Sequence, residues 1–123
     1  MTASRTSFPR TERIKQAADF RTILKYAHVF RESGVALYCS QIPAQDKSRL
    51  GIVVSRRVLK NAVDRNRVKR VTREFFRLNK TNFRSNFDLV VRIIESGKSF
   101  KNNNLREVLN RLFKRAGVLN CAE

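Results

Sequence analysis

Apolar residues recur along this chain at two kinds of interval, and the change between them marks out its elements. Over residues 14–27, Ala17, Phe20, Ile23, Leu24 and Ala27 repeat every three or four positions, which predicts a helix closing at Lys25-Tyr26-Ala27-His28. A second helix is predicted from Asn61, a residue suited to cap it, to about Asn79, with Val68, Val71, Thr72, Phe75 and Leu78 on one side. A third begins at Asn104, with Glu107 placed for a capping box, and carries the stripe Leu105, Val108, Leu109, Leu112 and Phe113. Strands are predicted over residues 35–42, after Gly34 and up to Pro43, over residues 50–55, buried on both faces, and over residues 87–94, rich in β-branched side chains and ended by Gly97. The polar turn at 44–48 makes the first two strands an antiparallel hairpin. The order α-β-β-α-β-α places the chain in the α+β class, one small sheet with helices packed on it. Residues 1–12, polar and broken by Pro9, read as a flexible basic arm, residues 13–118 as one domain and 119–123 as a tail.

Charge sharpens this picture. The chain has 123 residues, 27 Lys and Arg against 10 Asp and Glu, and a formal net charge of +17. Such an imbalance repels itself and points to a polyanionic partner. The cations are also patterned. Between Arg56 and Arg77 lie Arg56, Arg57, Lys60, Arg65, Arg67, Lys69, Arg70, Arg73 and Arg77, opposed only by Asp64 and Glu74. At 100° per residue, Arg65, Asn66, Lys69, Arg70, Arg73 and Arg77 fall within an arc of about 140°, and the apolar stripe takes the other side. One helix face is built for burial and the other for phosphate. Arginine adds planar bidentate contacts and base stacking, which favour folded RNA. A helix-turn-helix reader of DNA would need two short helices in tandem, and here a strand stands on either side of the basic helix. Tyr38 in mid-strand and Phe20 on the first helix either stack bases of a single strand or pack in the core.

Other chemistry is poorly supported. There is no HExxH, no DxD, no pair of carboxylates on one helix face, and no glycine-rich phosphate loop. The single histidine, His28, reads as a surface or capping residue beside Lys25 and Arg31, Asp88 as a structural strand residue, and Asp64 as a carboxylate favoured by the helix dipole. Cys39 and Cys121 form neither a disulfide framework nor a zinc pattern. No segment reads as a secretory signal or a membrane span, so a cytoplasmic chain is expected. No catalytic residue and no metal ligand is assigned on the protein.

The run from Asn61 to Leu78, with Arg65-Asn66-Arg67 followed by Lys69-Arg70 and Arg73, resembles the signature of the bacterial ribonuclease P protein subunit. Phe8-Pro9, Arg13-Ile14, Ala18-Asp19-Phe20, Leu37-Tyr38, the strand Arg49 to Ser55, and Asp88-Leu89-Val90-Val91 resemble the family in order and spacing, over about residues 8 to 115. The chain departs from many members in having Ala27 at the end of the first helix and Leu59-Lys60 in the turn, where they carry glycine, and its turn at 56–60 is one residue longer. The resemblance implies a fold with a left-handed β-α-β crossover. It implies a subunit that binds ribonuclease P RNA and precursor tRNA and assists removal of the 5′ leader. The hydrolysis would be performed by the RNA with Mg2+ that the RNA mainly holds, with no membrane and no protein partner required. Carried over, Arg56, Arg57, Arg65, Asn66, Arg67, Lys69, Arg70 and Arg73 would meet RNA, and Phe20, Tyr38, Lys69 and Arg73 would line a cleft for the leader. Without the resemblance, a small ribosomal or other structural RNA-binding protein fits the same residues, and a DNA-binding protein fits less well.

Overall fold

In the computed structural model, which describes residues 10–42, 47–95 and 102–119, the first regular helix is α1 (Ala17–Tyr26). It is followed by β1 (His28–Glu32), β2 (Val35–Gln41), β3 (Arg49–Val53), α2 (Ala62–Asn79), β4 (Phe87–Ile93) and α3 (Asn102–Arg115). Short 3-10 turns lie at Arg10–Glu12 and Lys80–Asn82. The strands form one sheet in the order β1-β2-β4-β3. Strand β4 takes an inner position and is buried at every residue but Arg92. Phe87, Leu89, Val91 and Ile93 join the core under α2 and α3, and Val90 joins the cluster under α1.

This arrangement overturns the hairpin expected of the first two predicted strands, which are β2 and β3. Strand β4 enters between them, antiparallel to β2 and parallel to β3. At the start of β4 the Ile42 amide, just after β2, donates to the Asn86 carbonyl at 2.8 Å, and the Phe87 amide donates to Ser48 Oγ, just before β3, at 2.9 Å. The antiparallel hairpin that does exist is β1–β2, with β1 missed by the periodicity. Glu32 pairs with Val35, leaving Ser33 and Gly34 as a two-residue turn at φ 53° and 82°. Positive φ at both positions is the mirror-image turn that suits hairpin twist. A Cβ on Gly34 would also come within 2.8 Å of the Glu95 carbonyl oxygen.

Element ends shift for identifiable reasons. Helix α1 starts at Ala17 rather than Ile14, because the Ile14 amide donates to the Leu50 carbonyl at 2.9 Å and Arg13 bridges Leu50 as an incipient parallel strand. Residues 10–12, expected within the arm, form a turn whose Glu12 pairs with Lys80 at 2.7 Å. His28 opens β1 and is exposed, rather than ending a helix. Asn61 is at the cap position of α2, but its side chain makes no capping hydrogen bond. Asn104 lies inside α3, which begins at Asn102, so the predicted capping box does not form there. Ala27 ends α1 at φ −75°, ψ 158°, a conformation open to any residue, so glycine is not needed. Residues 1–9, the turn residues 43–46, Gly97, the tail from 120 and Cys121 lie outside the described residues.

Two apolar layers follow. The larger packs α2 and α3 on one face of the sheet, with Val68, Val71, Phe75 and Phe76 of α2 against Leu105, Val108, Leu109, Leu112 and Phe113 of α3. Phe75 and Phe113 meet edge to face at 5.0 Å between centroids, a favoured aromatic geometry. Leu78, expected in this stripe, is exposed. The smaller layer holds Ile14, Ile23, Ala36, Tyr38 and Val90 on the opposite face, roofed in part by α1. β3 is an edge strand: Leu50 and Gly51 are buried, Ile52 and Val53 only half so, short of the burial on both faces that was expected.

Cys39 lies in the larger core, and burial pushes its thiol from 9.0 up to about 11. Below the lower value both states hold the proton. As the pH rises from 9.0 toward about 11 the unfolded chain loses it first, so this contribution to stability declines through that window. At pH 8 a thiol reagent should modify Cys39 only as fast as the fold opens, with peptide mapping to separate it from Cys121. Rapid labelling at the rate of a free thiol would contradict the burial.

Candidate nucleic-acid interface

The basic helix is launched by a tight turn. The Val58 and Leu59 amides donate to the Ser55 carbonyl at 3.2 and 3.0 Å. Leu59 is drawn into the core, and Arg56 and Arg57 are left exposed on the outside of the turn. Arg65, one turn into α2, donates through one guanidinium nitrogen to the carbonyls of Leu59 at 2.8 Å and Lys60 at 2.9 Å. The longer turn is therefore clasped by a residue of the motif itself. Asp64 accepts from Arg67 at 3.0 Å and from the side-chain Nδ2 of Asn61 at 3.4 Å, so it organises the helix start beyond favouring the dipole. The Arg67 Nε is buried and lacks a hydrogen-bond partner.

The motif thus divides. Arg65 and Arg67 are tied to their own neighbourhood. Among the described residues, no hydrogen bond or ion pair holds the side chains of Asn66, Lys69, Arg70 or Arg73. The acids that could neutralise this face are engaged elsewhere: Glu12 with Lys80, Asp19 and Asp88 with Arg49, Glu32 with Arg111 and Arg115, and Glu74 with Arg106 and Arg77. Like charges left together without counter-charges attract a polyanion.

Beside this face lies a groove of about 270 Å³ between the edge strand β3, the start of α1 and the side of α2. Phe20, Gly51 and Ile52 supply apolar wall, and Lys69, Arg73 and Lys15 supply charge. Phe20 can lie on the strand because position 51 is glycine: a Cβ there would come within 2.6 Å of the ring. The first turn of α1 is held by Arg49, which donates to both carboxylate oxygens of buried Asp88 at 2.9 and 2.8 Å and pairs with Asp19 at 3.5 Å. Asp88 and, less strongly, Asp19 push the Arg49 guanidinium pKa further up. Tyr38 does not line this groove. It is 6 % exposed, packs with Ile14 and Ile23, and its hydroxyl accepts from Arg92 at 3.5 Å.

A second hollow, about 290 Å³, opens on the outer side of α2 among Arg70, Arg73, Arg77, Glu74 and Arg13. Sequence reasoning had assigned no site role to Arg13, Lys15 or Arg49. Their places depend on the partners that segment 10–15 and β3 find across the fold, which no local pattern reports. Among the described residues no three His, Cys, Asp or Glu side chains converge as a metal site, and no helix is long and apolar enough to cross a membrane.

An α+β domain with a cation-bearing helix face beside an aromatic-walled groove is the construction of an RNA-binding subunit. The comparisons agree. The family model for ribonuclease P matches residues 8–117. The ribonuclease P protein component of Desulforapulum autotrophicum is 38% identical over 111 residues, covering 89% of this chain and 92% of that one. The RNase P protein of Staphylococcus aureus, solved at 2.0 Å, superposes with a TM-score of 0.80 at 33% identity, covering 89% of this chain and 98% of that one. That of Thermotoga maritima superposes with a TM-score of 0.70 at 33% identity, over 85% and 96%. The chain belongs to the ribonuclease P protein family.

Two substitutions test the groove wall. Gly51→Ala should expel the Phe20 ring and lower stability by about 1–3 kcal/mol, read by urea unfolding and by loss of proton contacts between residue 51 and the ring. Arg49→Ala should cost about 3 kcal/mol, because Asp88 loses its bidentate partner. A variant as stable as the parent would show that the pair does not anchor α1.

Proposed function

We propose that this chain, as the protein component of ribonuclease P, binds the catalytic RNA with the outer face of α2 and the single-stranded 5′ leader of precursor tRNA in the groove beside β3. The observation that carries this reading is a helix face on which Asn66, Lys69, Arg70 and Arg73 have no side-chain partner among the described residues, with Lys69 and Arg73 lining one groove with the Phe20 ring. Phosphates are met by the cations and an unstacked base by the ring, the combination that suits a single strand. Lys69 and Arg73 serve the groove, and Asn66 and Arg70, with Arg56 and Arg57 on the turn, serve the catalytic RNA. Arg65 and Arg67 set the start of the helix and add charge. Tyr38 has a supporting role, packing beneath the Ile14 and Ile23 that back Phe20.

Hydrolysis is assigned to the RNA. Mg2+ is proposed to be held mainly by the RNA as well, and no step is drawn through it. The protein contributes binding and orientation: it neutralises phosphates and holds the leader so that precursor binds more tightly than mature tRNA. Such work belongs in the cytoplasm, with precursor tRNA and ribonuclease P RNA as the partners.

Reconstitution with a bacterial ribonuclease P RNA at low magnesium tests this reading. The protein should stimulate 5′ cleavage of precursor tRNA. Arg70→Ala should weaken assembly with the RNA, and Phe20→Ala should weaken precursor but not mature tRNA binding, by on the order of 1–3 kcal/mol for a lost stack. Equal losses for the two tRNAs would refute the leader groove, and no stimulation with several such RNAs would refute the subunit assignment.

A further inference from the structure

Helix α1 carries the ring that walls the groove, yet it is lightly held. Of its residues only Ile23 is buried, and Phe20 and Leu24 are half-buried against the cluster that includes Tyr38 and Val90. Its cap residue, Gln16, makes no side-chain hydrogen bond to the first turn. The Phe20 ring nevertheless has a close seat: it rests on Gly51, where a Cβ would come within 2.6 Å of it. A small rotation of the first turn would slide or lift the ring, and a stacking surface works only when it is held at the geometry of the stack.

A relay of three charged side chains fixes that turn. Asp88 of β4, largely buried, accepts from Nε and Nη2 of Arg49 at 2.9 and 2.8 Å. Two parallel bonds set the plane of the guanidinium. Its remaining terminal nitrogen, Nη1, is thereby turned to the carboxylate of Asp19 at 3.5 Å. Asp19 stands in the first turn of α1 and directly precedes Phe20. It does not line the groove, whereas Phe20 does, with Lys15, Lys69 and Arg73. A carboxylate close to a surface that receives phosphates opposes their binding. The helix dipole accounts for an acid in the first turn. The pairing with Arg49 accounts for its standing next to Phe20.

We propose that Asp19 is a positioning residue for recognition of the precursor leader. Paired with the Arg49 that Asp88 anchors, it holds the first turn of α1 so that the Phe20 ring faces the leader base, and it touches no RNA itself. This rests on the function proposed above and deepens it: discrimination of precursor from mature tRNA then depends on an acid of a strongly basic protein.

The test uses the full-length protein assembled with ribonuclease P RNA, and matched precursor and mature tRNAs. Asp19→Asn removes the ion pair and keeps the shape. By charge alone it should tighten RNA binding, so the sign of the effect separates the two accounts. Positioning predicts that precursor affinity falls about three- to five-fold, the upper range for a half-exposed ion pair, while affinity for mature tRNA and for the catalytic RNA does not fall. Proton contacts between the Phe20 ring and Gly51 should weaken in the same variant, and urea unfolding should remain close to the parent's. Asp19→Glu, which keeps the charge, should return precursor affinity to within about two-fold of the parent. In a Phe20→Ala background Asp19→Asn should cost nothing further, because the two act through one ring. Precursor binding that is unchanged or tighter in Asp19→Asn would reduce Asp19 to a partner of the helix dipole and overturn the proposal. So would equal losses for the two tRNAs, a loss that persists without the Phe20 ring, or a failure of Asp19→Glu to restore binding. If Phe20→Ala by itself does not separate precursor from mature tRNA, the leader groove of the proposed function fails instead.

Discussion

The groove depends on one constraint, the entry of β4 between β2 and β3. That strand is buried at every residue but Arg92: Phe87, Leu89, Val91 and Ile93 lie in the core under α2 and α3, and Val90 in the cluster under α1, so it occupies an inner position with cover on each face. Its insertion pushes β3 to the sheet edge. An edge strand has backbone groups open on one side, and here Leu50 uses its carbonyl to capture the segment ahead of α1. The same edge brings Gly51 under Phe20 and, through the turn at 55–60, launches α2 alongside. Both walls of the groove and its glycine are consequences of one strand order.

The electrostatics follow a division of labour. Asp88 is buried and tolerated because Arg49 meets it with two hydrogen bonds, and Arg49 also reaches Asp19 at the start of α1. Glu12, Glu32, Asp64 and Glu74 are likewise used to join or organise elements. Six of the ten acids of a chain with a net charge of +17 thus hold the fold, and cations of one helix face are left for a partner. Residues of one motif then play unlike parts. Arg65 closes a turn, Arg67 leans on Asp64, and Arg70 and Arg73 point their charge outward.

The extent to which this was legible in the sequence varies by element. The stripes of α2 and α3 could be read because a helix buries residues at intervals set by its own geometry, and four of the five positions named on α2 and all five on α3 are buried. β1 could not be read by periodicity, since three of its five residues are exposed, although Ser33-Gly34 was a turn signal standing before the next strand. The false hairpin arose because neighbours in sequence were taken as neighbours in the sheet. Tyr38 and Phe20 were equivalent aromatic candidates until packing separated them, one beneath α1 and one on the groove wall.

By itself the sequence determined the class of fold, the cationic face and, through the motif from Asn61 to Leu78, the family. These are properties of composition and of short-range spacing, which a chain carries whether folded or not. The tertiary structure alone decided the strand order, and which arginines are clasped and which are free to bind. Those depend on pairs such as Lys80 with Glu12 and Arg49 with Asp88, far apart along the chain, whose meeting is settled only when the sheet is assembled.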